Sequence, residues 1–261
     1  SERYTPYSQT KQPAELLTQA NLILGKGQLS LAKFLFITAD DNNTSINSAT
    51  KITTHNEKEF YKFMLERINL KTDLHFYTNT SIDTLDYSGT GLNSGSKLVV
   101  AAYGDKKREL GNTINEHYKT LTTFINPKLA LDGVMIFKGN KFESYEKTKQ
   151  EFENFNNEVK ANNISFNEFP LIVIADDSNF TAENLKNWLW VTFTRSNPSH
   201  DVYGINATTE YKHFSCDAMI IDARIKPHHA PVLEKNPDVE KRIDKLFEKG
   251  GSLHKLLNMN R

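Results

Sequence analysis

Phe34-Leu35-Phe36-Ile37-Thr38-Ala39-Asp40-Asp41-Asn42-Asn43 and Pro170-Leu171-Ile172-Val173-Ile174-Ala175-Asp176-Asp177-Ser178-Asn179 are two versions of one phrase. Each is a short run of bulky and β-branched residues closed by paired aspartates. Such a run reads as a buried strand that stops at a polar turn. Its recurrence far along the chain points to an internal duplication.

The similarity continues outward from both copies. Asn56 with Glu59 three residues on suits a helix cap, and Phe60, Phe63, Met64 and Ile68 follow at helical spacing. In the second copy Thr181 reads as the cap, with Leu185, Trp188 and Leu189 as the stripe. A strand comes next, Leu74–Tyr77 or Val202–Ile205, preceded by Asp73 or Asp201. A last strand closes each copy, Lys97–Ala102 or Ala218–Ala223. Both copies therefore read β-α-β-β. The linking helix would allow the first two strands to pair in parallel by a right-handed crossover. The last connection need not be helical, so mixed sheets are expected. The predicted fold class is α/β: two diverged β-α-β-β repeats forming mixed sheets with flanking helices.

The expected organisation is a helical lead-in over 1–28, a first repeat over 29–111, a connecting strand and helix over 112–167, a second repeat over 168–231, and a C-terminal helix and tail over 232–261. Pro13 to Leu24 reads as a helix stopped by Gly25. Gly133–Phe137 reads as a strand, and Tyr145–Lys160 as a helix facing inward through Phe152, Phe155 and Val159. Near the end Asn236 caps, Pro237 takes the first helical position, and Val239, Ile243, Leu246 and Phe247 form a stripe before Gly250-Gly251. That stripe is expected to dock on the domain or on a neighbouring subunit.

Composition excludes several functions. The 261 residues carry 32 basic and 32 acidic side chains, so no cationic excess favours nucleic acid. Apolar runs such as Leu171–Ala175 are too short to span a bilayer. One cysteine, Cys216, rules out a disulfide framework and fits a reducing cytoplasm. The chain starts at Ser1 without a methionine and shows no signal peptide, which suggests a portion of a longer protein.

Candidate chemistry is sparse. The pairs Asp40-Asp41 and Asp176-Asp177 stand at strand ends, where they could hold Mg²⁺ or cap the following turn; capping is the favoured reading. His228-His229 beside Asp222 could ligate Zn²⁺, yet neighbouring residues of an extended chain point apart. Ser199, His200 and Asp201 are crowded in sequence, which is not the spatial logic of a triad. Gly89, Gly91 and Gly95 make no phosphate-binding fingerprint. Cys216 reads as a structural thiol and Trp188 as core.

The order of several motifs resembles the C-terminal domain of UbiD-family decarboxylases. Gly25-Lys26-Gly27-Gln28 leads into Ala32-Lys33-Phe34 and the first strand. Thr80-Ser81-Ile82-Asp83-Thr84-Leu85-Asp86-Tyr87 precedes Gly95-Ser96-Lys97. The second copy has Trp190 through Thr194-Arg195-Ser196-Asn197-Pro198-Ser199-His200-Asp201, then Asp222-Ala223-Arg224-Ile225-Lys226, then Asn236-Pro237-Asp238-Val239. Copy one keeps the loop motif, and copy two keeps the helix-end motif. The resemblance implies the C-terminal, oligomerising and pocket-wall part of a carboxy-lyase. Such an enzyme acts on aromatic or unsaturated acids with prenylated FMN and metal ions, as in quinone biosynthesis. It implies that the flavin and the catalytic residues lie in a preceding N-terminal domain. No catalytic, cofactor or metal residue is therefore assigned here, no cofactor is expected on this chain, and the chain alone is expected to be inactive. Pocket-lining side chains would fall at Ile221 and Ala223, or at Val100 and Ala102 in the other copy, although the plain reading of Ile221 and Ala223 is core packing. A homo-oligomer through the C-terminal helix is expected. The alternative is a non-catalytic assembly module that never carries flavin.

Overall fold

The structure is a computed structural model and describes residues 16–38, 53–230 and 236–258. Asp40 and Asp41 of the first phrase, and Pro13, lie outside the described residues. The residues up to His229 form one compact unit, and Ala230 onward forms a second.

The first unit opens with helix α1 (Leu17–Leu24) and a 3-10 turn at Gly27–Leu31. The first repeat follows as β1 (Phe34–Ile37), α2 (Glu57–Arg67), β2 (Leu74–Thr80) and β3 (Gly95–Ala101). The connection holds α3 (Glu116–Lys119), the hairpin β4 (Ile125–Leu131) and β5 (Val134–Lys138), and α4 (Tyr145–Ala161). The second repeat is β6 (Leu171–Ala175), α5 (Ser178–Ala182), α6 (Leu185–Thr194), α7 (Pro198–Asp201) and β7 (Val202–Ile205). It continues through the small hairpin β8 (Thr208–Glu210) and β9 (His213–Ser215) to β10 (Ala218–Asp222).

The duplication is visible in the hydrogen-bond ladders. The first sheet has the order β1-β3-β2, with β3 parallel to β1 and antiparallel to β2. In the second sheet β6, β10 and β7 repeat that order and those directions. The sheets are mixed, as expected. The first two strands of each repeat do not pair, however, because the last strand inserts between them. Burial explains the insertion: all of β3 and all of β10 is buried, and two-sided apolar strands belong in the middle of a sheet.

The registers also shift the repeat by one residue. Phe34 pairs with Leu98 and Leu171 pairs with Met219, while Leu74 and Val202 pair with Val100 and Ile221. These pairings make Leu171, rather than Pro170, the counterpart of Phe34. The second sheet gains two strands in the order β4-β5-β6. Strand β4 carries Pro127 and a register shift against β5. It lies at the sheet edge, where a proline costs no ladder bond. Gly133 makes the hairpin turn with φ of 78°.

Side-chain alternation sorts the core into layers. Leu98, Val100 and Ala102 join Val134, Ile136, Leu171, Val173, Met219, Ile221 and Ala223 in one central cluster with Met64, Leu65, Trp188 and Val191. The opposite face of the first sheet, Val99 and Ala101, meets Leu16 and Ala20. The opposite face of the second, including Phe137, Ile172, Ile174 and Ile220, meets Phe152, Phe155 and Val159 of α4. The two sheets thus share their inner apolar surface.

Caps mark most helix starts. Asn56 accepts from the Glu59 N–H, as the sequence suggests, and Ser144 accepts from Lys147. Thr181 is not a cap. It sits inside α5, where its hydroxyl donates to the Asp177 carbonyl at 2.7 Å. Asp177 caps α5 and Asn184 caps α6, because the stretch holds two short helices rather than one. The second unit contains α8 (Pro237–Phe247), capped by Asn236 and followed by a 3-10 turn at His254–Asn258.

An aromatic chain ties the repeats together. Tyr61 of α2 meets Trp188 of α6 edge-on at 4.8 Å, and Phe193 meets Phe34 and Trp188 at 5.0 and 5.7 Å. Trp188 is fully buried. Trp188→Ala should cost about 3–5 kcal/mol, the range for deleting a large core aromatic. Urea unfolding followed by far-UV circular dichroism measures this.

Candidate functional site

Polar residues of the two repeats converge on a buried junction, where three cations are built from the chain upward. Lys33 immediately precedes β1, Arg224 follows β10, and Lys226 lies two residues further on. Burial of a charge is costly unless it is paired and hydrogen-bonded, so the partners decide what the cluster is.

Arg224 is fully enclosed. Its Nε and one terminal nitrogen hold both oxygens of Asp222, at 2.8 and 2.9 Å. The remaining donations go to Thr148 at 3.1 Å, Glu151 at 2.7 Å and the Asn140 carbonyl at 3.0 Å. These bonds use all five guanidinium donors. Burial alone would lower the Arg224 pKa, but Asp222 and Glu151 outweigh it and hold it above the ordinary value. Gly139 makes room, since a Cβ there would come within 2.9 Å of the Arg224 side chain and 2.6 Å of Ile174.

Lys226 pairs with Asp201 at 3.3 Å and donates to the carbonyls of Asp222, Arg224 and Arg195 at 3.0, 3.3 and 3.3 Å. The other Asp201 oxygen accepts the Asn197 N–H at 2.7 Å. Burial pushes the Asp201 carboxyl up to about 6, opposed by Lys226 and by the Asn197 N–H.

Lys33 reaches from the first repeat into the second. It pairs with Asp86 at 2.8 Å, bonds the Ser88 hydroxyl, and donates to the Ser196 carbonyl at 2.9 Å. Burial lowers its ammonium pKa, with Asp86 opposing. Ser96 bonds the Asn197 side chain and accepts the Ser199 N–H at 2.8 Å. Lys97 donates to the carbonyls of Ser30 and Ala32 at 2.7 and 3.0 Å, which fastens the end of the 3-10 turn at Gly27–Leu31. The loop motif kept by copy one and the helix-end motif kept by copy two therefore meet in a single network.

One element of that network is present in both copies. Arg67-Ile-Asn69-Leu-Lys-Thr-Asp73 matches Arg195-Ser-Asn197-Pro-Ser-His-Asp201. In each, the Asn N–H donates to the Asp side chain, at 2.8 Å and 2.7 Å, and the Asp N–H returns to the Asn carbonyl at 2.9 Å. Direct comparison of the two helix ends would have revealed this. Thr148 and Glu151 were also legible, as polar residues three apart on the apolar face of α4.

The other sequence candidates fall as follows. Val100, Ala102, Ile221 and Ala223 are at most 1% exposed and lie together in the central cluster. Asp177 is a helix cap, and Asp176 pairs with Arg195 at 3.4 Å and accepts the Ile225 N–H. Ser199 reaches His200 at 3.0 Å, but Asp201 turns to Asn197 and Lys226. That arrangement gives no relay. His228 and His229 meet edge to face at 4.9 Å. Among the described residues no group of three or more His, Cys, Asp or Glu is placed to share a metal ion. Cys216 is buried against Gly204, and burial pushes its thiol up to about 12.

Fold and junction define a duplicated, mixed α/β domain. Residues 7–102 match the 3-octaprenyl-4-hydroxybenzoate carboxy-lyase C-terminal domain. The chain is 30% identical over 236 residues to an uncharacterized protein of Chlamydia muridarum, covering 90% of this chain and 37% of that protein. It is 28% identical over 236 residues to a 4-hydroxybenzoate decarboxylase polypeptide of Chlamydia pneumoniae, covering 88% and 35%. It thus spans little more than a third of the length of the curated relatives it matches. Vanillic acid decarboxylase of Sedimentibacter hydroxybenzoicus, in its open form, aligns with a TM-score of 0.32 at 15% identity, over 66% of this chain and 44% of that one. The chain is a distant homologue of UbiD-family decarboxylases with a C-terminal-domain-like fold. Among the described residues no helix is long and apolar enough to cross a membrane.

The Lys226–Asp201 pair should behave as a coupled unit. Lys226→Met is expected to cost about 3–5 kcal/mol, because it strands a buried carboxylate, and Lys226→Met/Asp201→Leu to recover part of that loss. A double-mutant cycle in urea measures the coupling; additive costs would refute it.

Proposed function

We propose that this chain is the C-terminal assembly and pocket-wall portion of a cytoplasmic carboxy-lyase that acts on aromatic or unsaturated acids with prenylated FMN. One observation carries the reading. The motifs that resemble the family, scattered from Lys33 to Lys226, fold into one junction. The family match over residues 7–102 and the 4-hydroxybenzoate decarboxylase among the relatives support it. The family's name also suggests a quinone-precursor acid as substrate.

The cations of the junction are not free to hold a flavin phosphate. Arg224 has no donor left, and Lys33 and Lys226 are committed to carboxylates and carbonyls. In this reading the flavin, its metal ions and the catalytic residues belong to an N-terminal portion of the enzyme. The chain's share is to present a rigid wall. Val100, Ala102, Ile221 and Ala223 would set that wall from within the core, by fixing the ends of β3 and β10.

The reading is tested by assaying 4-hydroxybenzoate decarboxylation. The isolated chain should show no flavin absorbance and release no CO₂. Fused behind a flavin-binding domain of a relative, it should support turnover. Activity of the isolated chain, or an inert fusion that binds flavin, would overturn the proposal; the latter would favour the non-catalytic assembly module.

Helix α8 is proposed as the oligomer contact. Val239, Ile243 and Leu246 share one face and are each more than two-fifths exposed. Ile243→Asp should lower the mass seen by light scattering to that of a smaller assembly, whereas an unchanged mass would remove α8 from the interface.

A further inference from the structure

We propose that the hairpin β8–β9 is a pH-sensitive latch, closed over the edge of β2 while His75 and His213 are neutral and released when they gain protons. Strand β2 is the last strand of its ladder, so its outer edge would otherwise be an open template for another chain. The hairpin belongs to the second repeat but packs against that edge. The Cys216 N–H donates to the Leu70 carbonyl at 3.2 Å, and His213 Nε2 donates to the Lys71 carbonyl at 3.1 Å. Phe214 meets Phe76 edge to face at 5.6 Å, and Lys71 pairs with Asp217 at 2.7 Å on the half-exposed surface. Strand β8 is exposed at all three residues, so the hairpin is anchored through β9 and the residues that follow it.

The latch turns on one pair of rings. His75 of β2 and His213 of β9 lie with their centroids 5.7 Å apart. His75 Nε2 is buried and has no hydrogen-bond partner among the described residues. A proton added there creates a buried donor without an acceptor, beside a second ring that can also charge. The surroundings do little to offset this. Asp73 precedes β2, but its oxygens are engaged by the Asn69 N–H and the Thr72 hydroxyl at 2.8 and 2.7 Å, and Arg108 acts on the same carboxylate. Lys71 and Asp217 neutralise each other. Strand β3 places the uncharged Val99 beside His75, and α1, which packs on Val99, has no charged residue. Burial, then His213, hold the His75 pKa below its ordinary value, with Asp73 opposing. Closing the latch thus lowers the affinity of His75 for a proton. The closed form is fully favoured above the ordinary histidine value of 6.5 and weakens as pH falls below it. This latch does not depend on the decarboxylase reading.

The test is amide hydrogen exchange on the whole chain, read by NMR as protection factors at about pH 8 and about pH 5, the two ends of the histidine range. The Cys216 amide reports the latch, and the Ala223 amide, bonded to the Ile174 carbonyl at 2.8 Å, reports opening of the second sheet. Cys216 protection should fall at the lower pH by about threefold or more relative to Ala223, the factor that two unit charges about 6 Å apart produce even in bulk water. His75→Phe keeps a ring, removes the charge and should abolish that fall. His213→Asn keeps a donor for the Lys71 carbonyl and should raise the midpoint of the His75 titration. Unchanged Cys216 protection, an equal fall at Ala223, a fall that survives in His75→Phe, or an unmoved His75 midpoint in His213→Asn would each overturn the proposal. The wild-type ratio of Cys216 to Ala223 decides the matter even if a variant fails to fold.

Discussion

Charge buried where the two repeats meet is the constraint on which the rest of this structure depends. Lys33, Arg224 and Lys226 are all removed from water. Each would be strongly disfavoured alone. Each is instead matched to carboxylates and carbonyls supplied by separate elements: α4, the turn into β7, the loop after β2 and the end of β10. Misplacing any one of those elements leaves an ion uncompensated. The apolar core beneath tolerates small shifts, but paired ions at about 3 Å do not. The network therefore fixes where the sheets sit relative to each other, while the shared apolar layer supplies most of the driving force.

Saturation also limits chemistry. An arginine with five donors engaged has nothing to offer a substrate. The cluster looks catalytic by composition and is structural by geometry. This distinction could not be drawn from motif order, which signals that residues matter without saying whether they hold the fold or meet a ligand.

The repeat, its strands and several caps were legible because they depend on local pattern. Asn56 and Asn236 cap where they should, and α4 buries the stripe its spacing gives. Strand order was not legible, since it is decided by which strand is buried on both faces, and that depends on long-range packing. Strand β4 has no clear signature in the sequence, because Asn126 and Pro127 interrupt its pattern, which only an edge position allows. Thr181 has the residue type of a cap, but Asp177 and Asn184 on either side take that role. At the site, the family-like motifs were readable singly, but their convergence needed the sheets to be placed.

The division of one motif set between the two copies has an evolutionary consequence. A fresh duplicate has two interchangeable halves, either of which can be lost. Here Lys33 and Asp86 stand in one half and Lys226 in the other, joined through Ser196 and Ser96, while both halves keep the Asn–Asp element. Deleting either half would expose the other's unpaired ions and its share of the apolar layer. The duplication has thereby become irreversible: what began as redundancy is now mutual dependence, and the gene segment can be inherited only whole.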